Sequence, residues 1–304
     1  MVKLSRSRSL LLLAVLILIW GINWPLSKYA LAYTPPVLFS GLRTLLGGLV
    51  LLFVALPRLK QLRFRETWSI YFISAVVNVT LYYGLQTIGL RYLPSGLFSV
   101  IVFLQPVFVG IFSWLWLGEP MFLRKIIGFI LGFAGVAAVS AGGVSGHISI
   151  AGILLGIGSA LSWGLGTIYV KKIGGRVDSI WLVTLQCVIG GILLMAGGLA
   201  TEKWSDIHWN TPFTLDLLFI SIFVIAIGWL IYYKLVNAGE ASKVASYTFL
   251  IPLVAIVCGI VFLHEPFTMY LLLGLILIVT SILLVNRKPP AHAARKPASY
   301  QPEA

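Results

Sequence analysis

Charge is scarce in this chain. Only 10% of its 304 residues are charged, where a soluble domain carries roughly 25%. Acid is scarcer still, with nine Asp+Glu against 22 Lys+Arg and a net charge of +13. Such a sequence cannot cover a water-facing surface. With 59% hydrophobic residues and a mean hydropathy of +1.00, it reads as an integral membrane protein. Cysteine is nearly absent. Cys187 and Cys258 each stand alone in an apolar run, which excludes a disulfide framework and zinc or redox spacing and leaves buried packing. Histidine is equally sparse: His147, His208 and His292 fall in loops or tail, and His264 lies near a helix end. No HExxH or GxSxG occurs, so a membrane-embedded enzyme has no constellation to use. No cofactor or metal is implied. The basic residues are scattered rather than interleaved with aromatics, so no nucleic acid is expected as a partner.

What is abundant is long apolar sequence. Ten runs are expected as helices: 10–31, 37–56, 68–90, 95–117, 122–141, 150–170, 180–200, 215–236, 241–262 and 269–285. Each approaches the roughly 20 residues a membrane helix needs. Helices are favoured over barrel strands because the runs are long and continuous. The first run also has a signal-peptide reading, with Ala30-Leu31-Ala32 mimicking a cleavage site, but the repeat described next requires it as a helix. The tail 286–304, rich in Pro, Ala, Lys and Arg, is expected to be disordered and cytoplasmic. Eighteen of the 22 Lys+Arg fall at the N-terminus, in alternate loops and in the tail, leaving Lys28, Arg91 and Lys203 opposite and Arg43 inside a helix. The positive-inside rule then places both termini in the cytoplasm of a cell whose inner (plasma) membrane holds the protein.

One stretch occurs twice. Gln105-Pro106 leads to Glu119-Pro120, and Ile251-Pro252 leads to Glu265-Pro266, 146 positions later. Gly128 recurs as Gly274 at that offset, while Trp20-Gly21 recurs as Trp163-Gly164 and Gly47-Gly48 as Gly190-Gly191 at an offset of 143. Helices 1–5 thus match helices 6–10. Five is odd, so the second copy enters from the other side: an all-α membrane fold of ten transmembrane helices in two inverted five-helix repeats, 10–141 and 150–285.

The Trp-Gly pairs, the joins Ile88-Gly89-Leu90-Arg91-Tyr92-Leu93-Pro94-Ser95 and Leu235-Val236-Asn237-Ala238-Gly239-Glu240-Ala241-Ser242, and the doubled Pro…Glu-Pro stretch resemble the drug/metabolite transporter superfamily, in particular its EamA-type exporters. By general likeness the chain is most similar to the YddG-type amino-acid exporters. The resemblance implies ten helices, a central cavity and alternating access.

Candidate binding residues lie on polar faces of apolar helices. Helix 1 aligns Trp20, Asn23 and Ser27, helix 3 aligns Asn78, Tyr82 and Gln86, and helix 6 brings Ser159, Trp163, Gly166 and Thr167 together. Helix 8 contributes Trp229, Tyr232 and Tyr233, helix 4 Gln105, and helix 9 Ser246. Each has a structural alternative. Trp163 and Trp20 are read as cavity lining or as helix packing, near mid-depth. Trp229 and the two tyrosines are read as lining or as an interfacial belt. Gln105 binds solute or satisfies a carbonyl freed by Pro106. Arg43, whose repeat counterpart is Gln186, snorkels outward or meets a substrate carboxylate. Glu119 and Glu265 sit at helix ends and are read as caps of the loop and next helix. Pro106 and Pro252, midway along helices 4 and 9, are candidate hinges. The double glycines are close-packing points.

The expected function is export of small metabolites, amino acids (aromatic ones included) before others, by facilitated, uniport-like movement, since no Asp, Glu or His stands at mid-depth. The protein is expected to act as a monomer whose partners are the solute and the lipid bilayer. The alternatives are a proton-coupled drug or metabolite exporter and a sugar-phosphate or nucleotide-sugar translocator. A receptor or scaffold, and an enzyme, are remote.

Overall fold

The computed structural model describes residues 5–93, 98, 101–141, 149–254 and 269–287. Among these it is helical, with no strand. The helices are α1 (Arg6–Ala30), α2 (Pro36–Ala55), α3 (Phe64–Gly89), α4 (Gln105–Leu117), α5 (Leu123–Ala141), α6 (Ile150–Ile173), α7 (Ser179–Thr201), α8 (Thr211–Ala238), α9 (Ala241–Val254) and α10 (Met269–Asn286). Six of them, α1–α3 and α6–α8, are long and apolar enough to cross a membrane, and shorter apolar helices accompany them. Large apolar side chains such as Phe53, Leu123 and Ile150 point outward, as lipid-facing positions do. This is a multi-pass membrane protein.

Helix starts follow from local chemistry. Ser5, Ser149 and Asn210 accept from backbone N–H groups three residues on, and Asp178 accepts from Ile180 N and Trp181 N. Each satisfies donors that the first helical turn leaves free. α2 opens at Pro36, where a missing N–H costs nothing. α4 ends at Gly118 with φ 65°, a left-handed geometry that glycine reaches without strain.

The packing pattern repeats itself. α2 lies along α7 and α5 along α10; α3 packs on α6 and α7, as α8 packs on α1 and α2. The double glycines make this possible. A Cβ on Gly48 would lie 2.8 Å from Val188 N, and one on Gly191 would lie 2.7 Å from Leu45 N, at the crossing of α2 and α7. Gly47 faces Ser221 O of α8 in the same way that Gly190 faces Ala75 O of α3. Small residues let backbones approach closely where lipid offers no hydrophobic drive.

Two features were not visible in the sequence. Val76–Leu81 in α3 and Ile220–Ile227 in α8 are π-helical. A π turn breaks the regular i→i−4 ladder and makes carbonyls available to side chains. Ser162 of α6 donates to Val77 O at 2.7 Å, and Trp20 of α1 donates to Val224 O at 3.2 Å. Each π segment is therefore tied to the first helix of the other half.

Pro106 is the second residue of α4, after a turn at Phe103 and Leu104 that separates it from helical residues 101–102. Pro252 lies within α9, just after a 3-10 turn, Tyr247–Leu250. At the start of α4 the absent N–H has no partner to lose. The second Glu-Pro pair (Glu265-Pro266), His264, Cys258, His147, Pro94-Ser95 and the tail beyond Arg287 lie outside the described residues.

Candidate functional site

The aromatic faces converge. Trp20 meets Trp163 edge-on at 5.5 Å between ring centroids and lies 5.8 Å from Trp229 and 5.2 Å from Tyr232. Tyr82 stands 5.2 Å from Trp163, and Tyr83 receives a hydrogen bond from Trp229 Nε1 at 3.0 Å. Trp229, Tyr232 and Tyr233 are buried, so they do not form an interfacial belt. Amides thread the cluster. Gln105 Nε2 donates to Tyr232 Oη at 3.1 Å, which also shares a 3.0 Å hydrogen bond with Thr167. Gln105 therefore binds a tyrosine, not a carbonyl freed by Pro106. Tyr233 and Ser74 both donate to Gln186 Oε1, at 2.9 and 2.6 Å, and Asn78 Nδ2 donates to Ser74. Among the described residues, four polar atoms here have no protein partner: Trp163 Nε1, Asn78 Oδ1, Gln105 Oε1 and Gln186 Nε2. The space inside the cluster is only about 20 Å³. It is a closed floor.

The open space lies beside that floor. A cavity of about 270 Å³ shares Asn23 and Trp24 with the cluster and reaches Ser27, Phe39, Arg43 and Gln86. It shares Leu31, Thr87 and Leu90 with a vestibule of about 580 Å³ bounded by Arg91, Glu202 and Asp206. The vestibule opens on the face opposite the chain's N-terminus, because α1 and α7 end there. Glu202 closes its rim by accepting from Val37 N and Leu38 N at the head of α2 and pairing with Arg91 at 3.2 Å.

Arg43 is fully buried and does not snorkel. Its guanidinium lies over the rings of Tyr83 and Phe39, at 4.5 and 5.0 Å, and donates to Ser27 Oγ at 3.1 Å and Gln86 Oε1 at 3.4 Å. Ser27 in turn donates to Asn23. Asp216, in the second turn of α8, is 7% exposed, and among the described residues neither carboxylate oxygen has a hydrogen-bond partner.

The opposite end is sealed. Glu119 accepts from Ala241 N at 2.6 Å and from Ser242 N and Oγ. It caps α9, from the other half of the chain, rather than the following helix α5. Lys125, which resembles a loop charge in the sequence, is buried against Glu119 at 3.5 Å, Glu240 at 3.8 Å and Pro120 O. Lys171 binds the carbonyls of Val236, Asn237 and Gly239 at the end of α8. Ser246 is apart from the aromatic cluster: it donates to Lys243 O and accepts from Asn286.

The profile of the EamA-like transporter family matches residues 7–141 and again 150–287. The chain belongs to the EamA-like transporter family. A Bacillus subtilis protein named "Uncharacterized transporter YvbV" is 64% identical over 97% of this chain and 96% of its own length. An Escherichia coli protein named "Probable amino-acid metabolite efflux pump" is 25% identical over 92% of this chain and 94% of its own. A Salmonella typhimurium protein of the same name is 27% identical, with the same coverage. A solved crystal structure superposes with a TM-score of 0.80 at 19% identity, covering 93% of this chain and 97% of that one, which speaks for the fold alone. With the family in place, the two profile matches fall on α1–α5 and α6–α10.

Proposed function

We propose that this EamA-family protein exports small metabolites, amino acids foremost, by alternating access between two inverted five-helix repeats of ten membrane crossings. One observation carries this reading. A path runs inward from one face to the Trp20–Trp163–Trp229 floor, while Glu119, Lys125 and Glu240 tie the opposite face shut. The repeated packing and paired π segments support the inverted repeat. The amino-acid name of two relatives supports the cargo. The 270 Å³ cavity suits a small metabolite, being below the 300–1,000 Å³ of typical ligand pockets. With both termini in the cytoplasm of the inner (plasma) membrane, the open face is external. Substrate contacts are assigned to Trp20, Asn23, Asn78, Tyr82, Gln86, Gln105, Trp163, Thr167, Trp229 and Tyr233, with Arg43 beside them. Pro106 and Pro252 move with the turns that precede them. Ser246 sits instead at the sealed face. A phosphate-bearing cargo is disfavoured, because Arg43 is the one arginine buried in the described spans.

Transport is proposed to be uniport-like. Asp216 favours the second reading, proton coupling, because a buried carboxylate without a partner is costly unless it binds a proton or a solute. Counterflow of radiolabelled amino acids in proteoliposomes, run with and without a pH gradient, tests both. The uniport reading expects exchange at the same rate in the two conditions. Strong acceleration by the gradient, lost in Asp216→Asn, replaces it with coupling. Absence of counterflow for every amino acid refutes the cargo.

A further inference from the structure

The geometry points to a carboxylate-binding subsite at Arg43. An organic carboxylate enters the 270 Å³ cavity, places its –COO⁻ on the guanidinium, and lays its hydrocarbon part against Trp24 and Phe39. This rests on the transporter reading and specifies the chemistry of its cargo.

Buried cations in a membrane protein are normally paired. Lys125 obeys, with Glu119 and Glu240. Arg43 does not. Among the described residues its only side-chain partners are neutral: Ser27, Gln86 and the rings of Tyr83 and Phe39. Asp216, whose carboxylate oxygens have no hydrogen-bond partner among the described residues, lies near enough to act on this charge but makes no direct ion pair with it. Nε of Arg43 is buried and free, and the bond from Nη2 to Gln86 is long at 3.4 Å. The side chain is nonetheless held in place by the two rings. It lines a cavity that carries no acid, has Lys28 as its other cation, and continues into the vestibule. A fixed, desolvated guanidinium with a free N–H offers a planar carboxylate two parallel hydrogen bonds.

The other half of the chain carries Gln186 at the equivalent place. Its oxygen is already taken by Ser74 and Tyr233. Anion recognition therefore belongs to one half only, and the carboxylate is read where the path is open. A single buried guanidinium balances one negative charge, which fits a carboxylate rather than a phosphate dianion.

Isothermal titration of the full-length purified protein tests this with four probes of one shape: L-phenylalanine, 3-phenylpropionate, L-phenylalanine amide and phenethylamine. Inorganic phosphate serves as a competitor. The two acids should bind at least about tenfold more tightly than the amide and the amine, as loss of a charge-assisted bidentate contact implies. In Arg43→Gln, which copies Gln186, the acid and amide should bind within about twofold of each other, and Arg43→Lys should recover part of the preference. The comparison within the wild type needs no variant to fold. Equal binding of acid and amide, binding of the amine alone, displacement of the acids by phosphate at lower concentration than by each other, or binding of neither acid overturns the subsite. Binding of 3-phenylpropionate without phenylalanine upholds the subsite and removes the amino-acid cargo instead.

Discussion

Two residues of the same type, placed in equivalent helices, are used differently. Trp20 spends its indole N–H on Val224 O, whereas Trp163 keeps Nε1 free inside the floor. Trp20→Phe should therefore cost stability, about 1–3 kcal/mol for a buried carbonyl left unpaired, with an earlier thermal midpoint by size-exclusion thermostability. Trp163→Phe keeps the ring packing and loses only the free donor. It should leave the midpoint near wild type and reduce counterflow roughly tenfold, the weight of one hydrogen bond of about 1.5 kcal/mol. Equal effects of the two substitutions on both readouts would show that the floor is packing alone. Glu119 is the other residue on which much depends. Glu119→Ala leaves buried Lys125 with only the longer pair to Glu240 and the Pro120 carbonyl, and it uncaps α9. A loss of about 3–5 kcal/mol is expected from breaking a buried pair, against almost none for Glu66→Ala, whose pair with Arg63 is exposed. Similar thermal midpoints for the two variants would contradict the assigned role.

At the scale of the element, helix contact depends on absent side chains. Gly48→Leu should separate α2 from α7, because its Cβ alone would lie 2.8 Å from both Val188 N and Val188 Cγ2. Overpacking of this kind costs about 1–3 kcal/mol or more, read as lower yield of monodisperse protein. Gly197 has nothing within 4 Å of its Cβ position, so Gly197→Leu should purify like the wild type. Failure of both, or of neither, removes the close-approach explanation. Periodicity and length made these helices legible in the sequence, with ends within a few residues for α2, α5 and α7. The glycine crossings were legible too, because Gly-Gly recurs at one offset in both halves. The π segments were not. Asn78, Thr80 and Ser221 are the polar residues of Val76–Leu81 and Ile220–Ile227, and none of them marks a π turn; the signal lies in which distant hydroxyl or indole takes the freed carbonyl. The turns before Pro106 and Pro252 were not legible for a related reason: the sequence marks where an N–H is missing, but not what precedes it.

Over the whole molecule, the sequence yielded the aromatic faces but not their depth relative to the open space. Trp20, Tyr82 and Trp163 were expected to line a cavity, with Trp229 and Tyr232 as lining or belt, and here they pack together, with Trp20, Tyr82, Trp163 and Trp229 lining a space of only about 20 Å³. The volume lies one turn away, around Arg43, Ser27 and Gln86. Helical spacing reports which side chains share a face, not how far two faces stand apart. Lys125 was similarly hidden, since its carboxylate partners come from α4's end and α9's start, 6 and 115 positions away in the chain. The arrangement as a whole has one end tied and one end open, and the proposed transport cycle requires the tied end to part. A disulfide between Glu119→Cys and Ser242→Cys, in a background with Cys187 and Cys258 replaced by Ser, measures this directly through counterflow before and after reduction. The oxidised protein should lose counterflow and recover it on reduction. Counterflow at the full rate in fully cross-linked protein would contradict alternating access at this face.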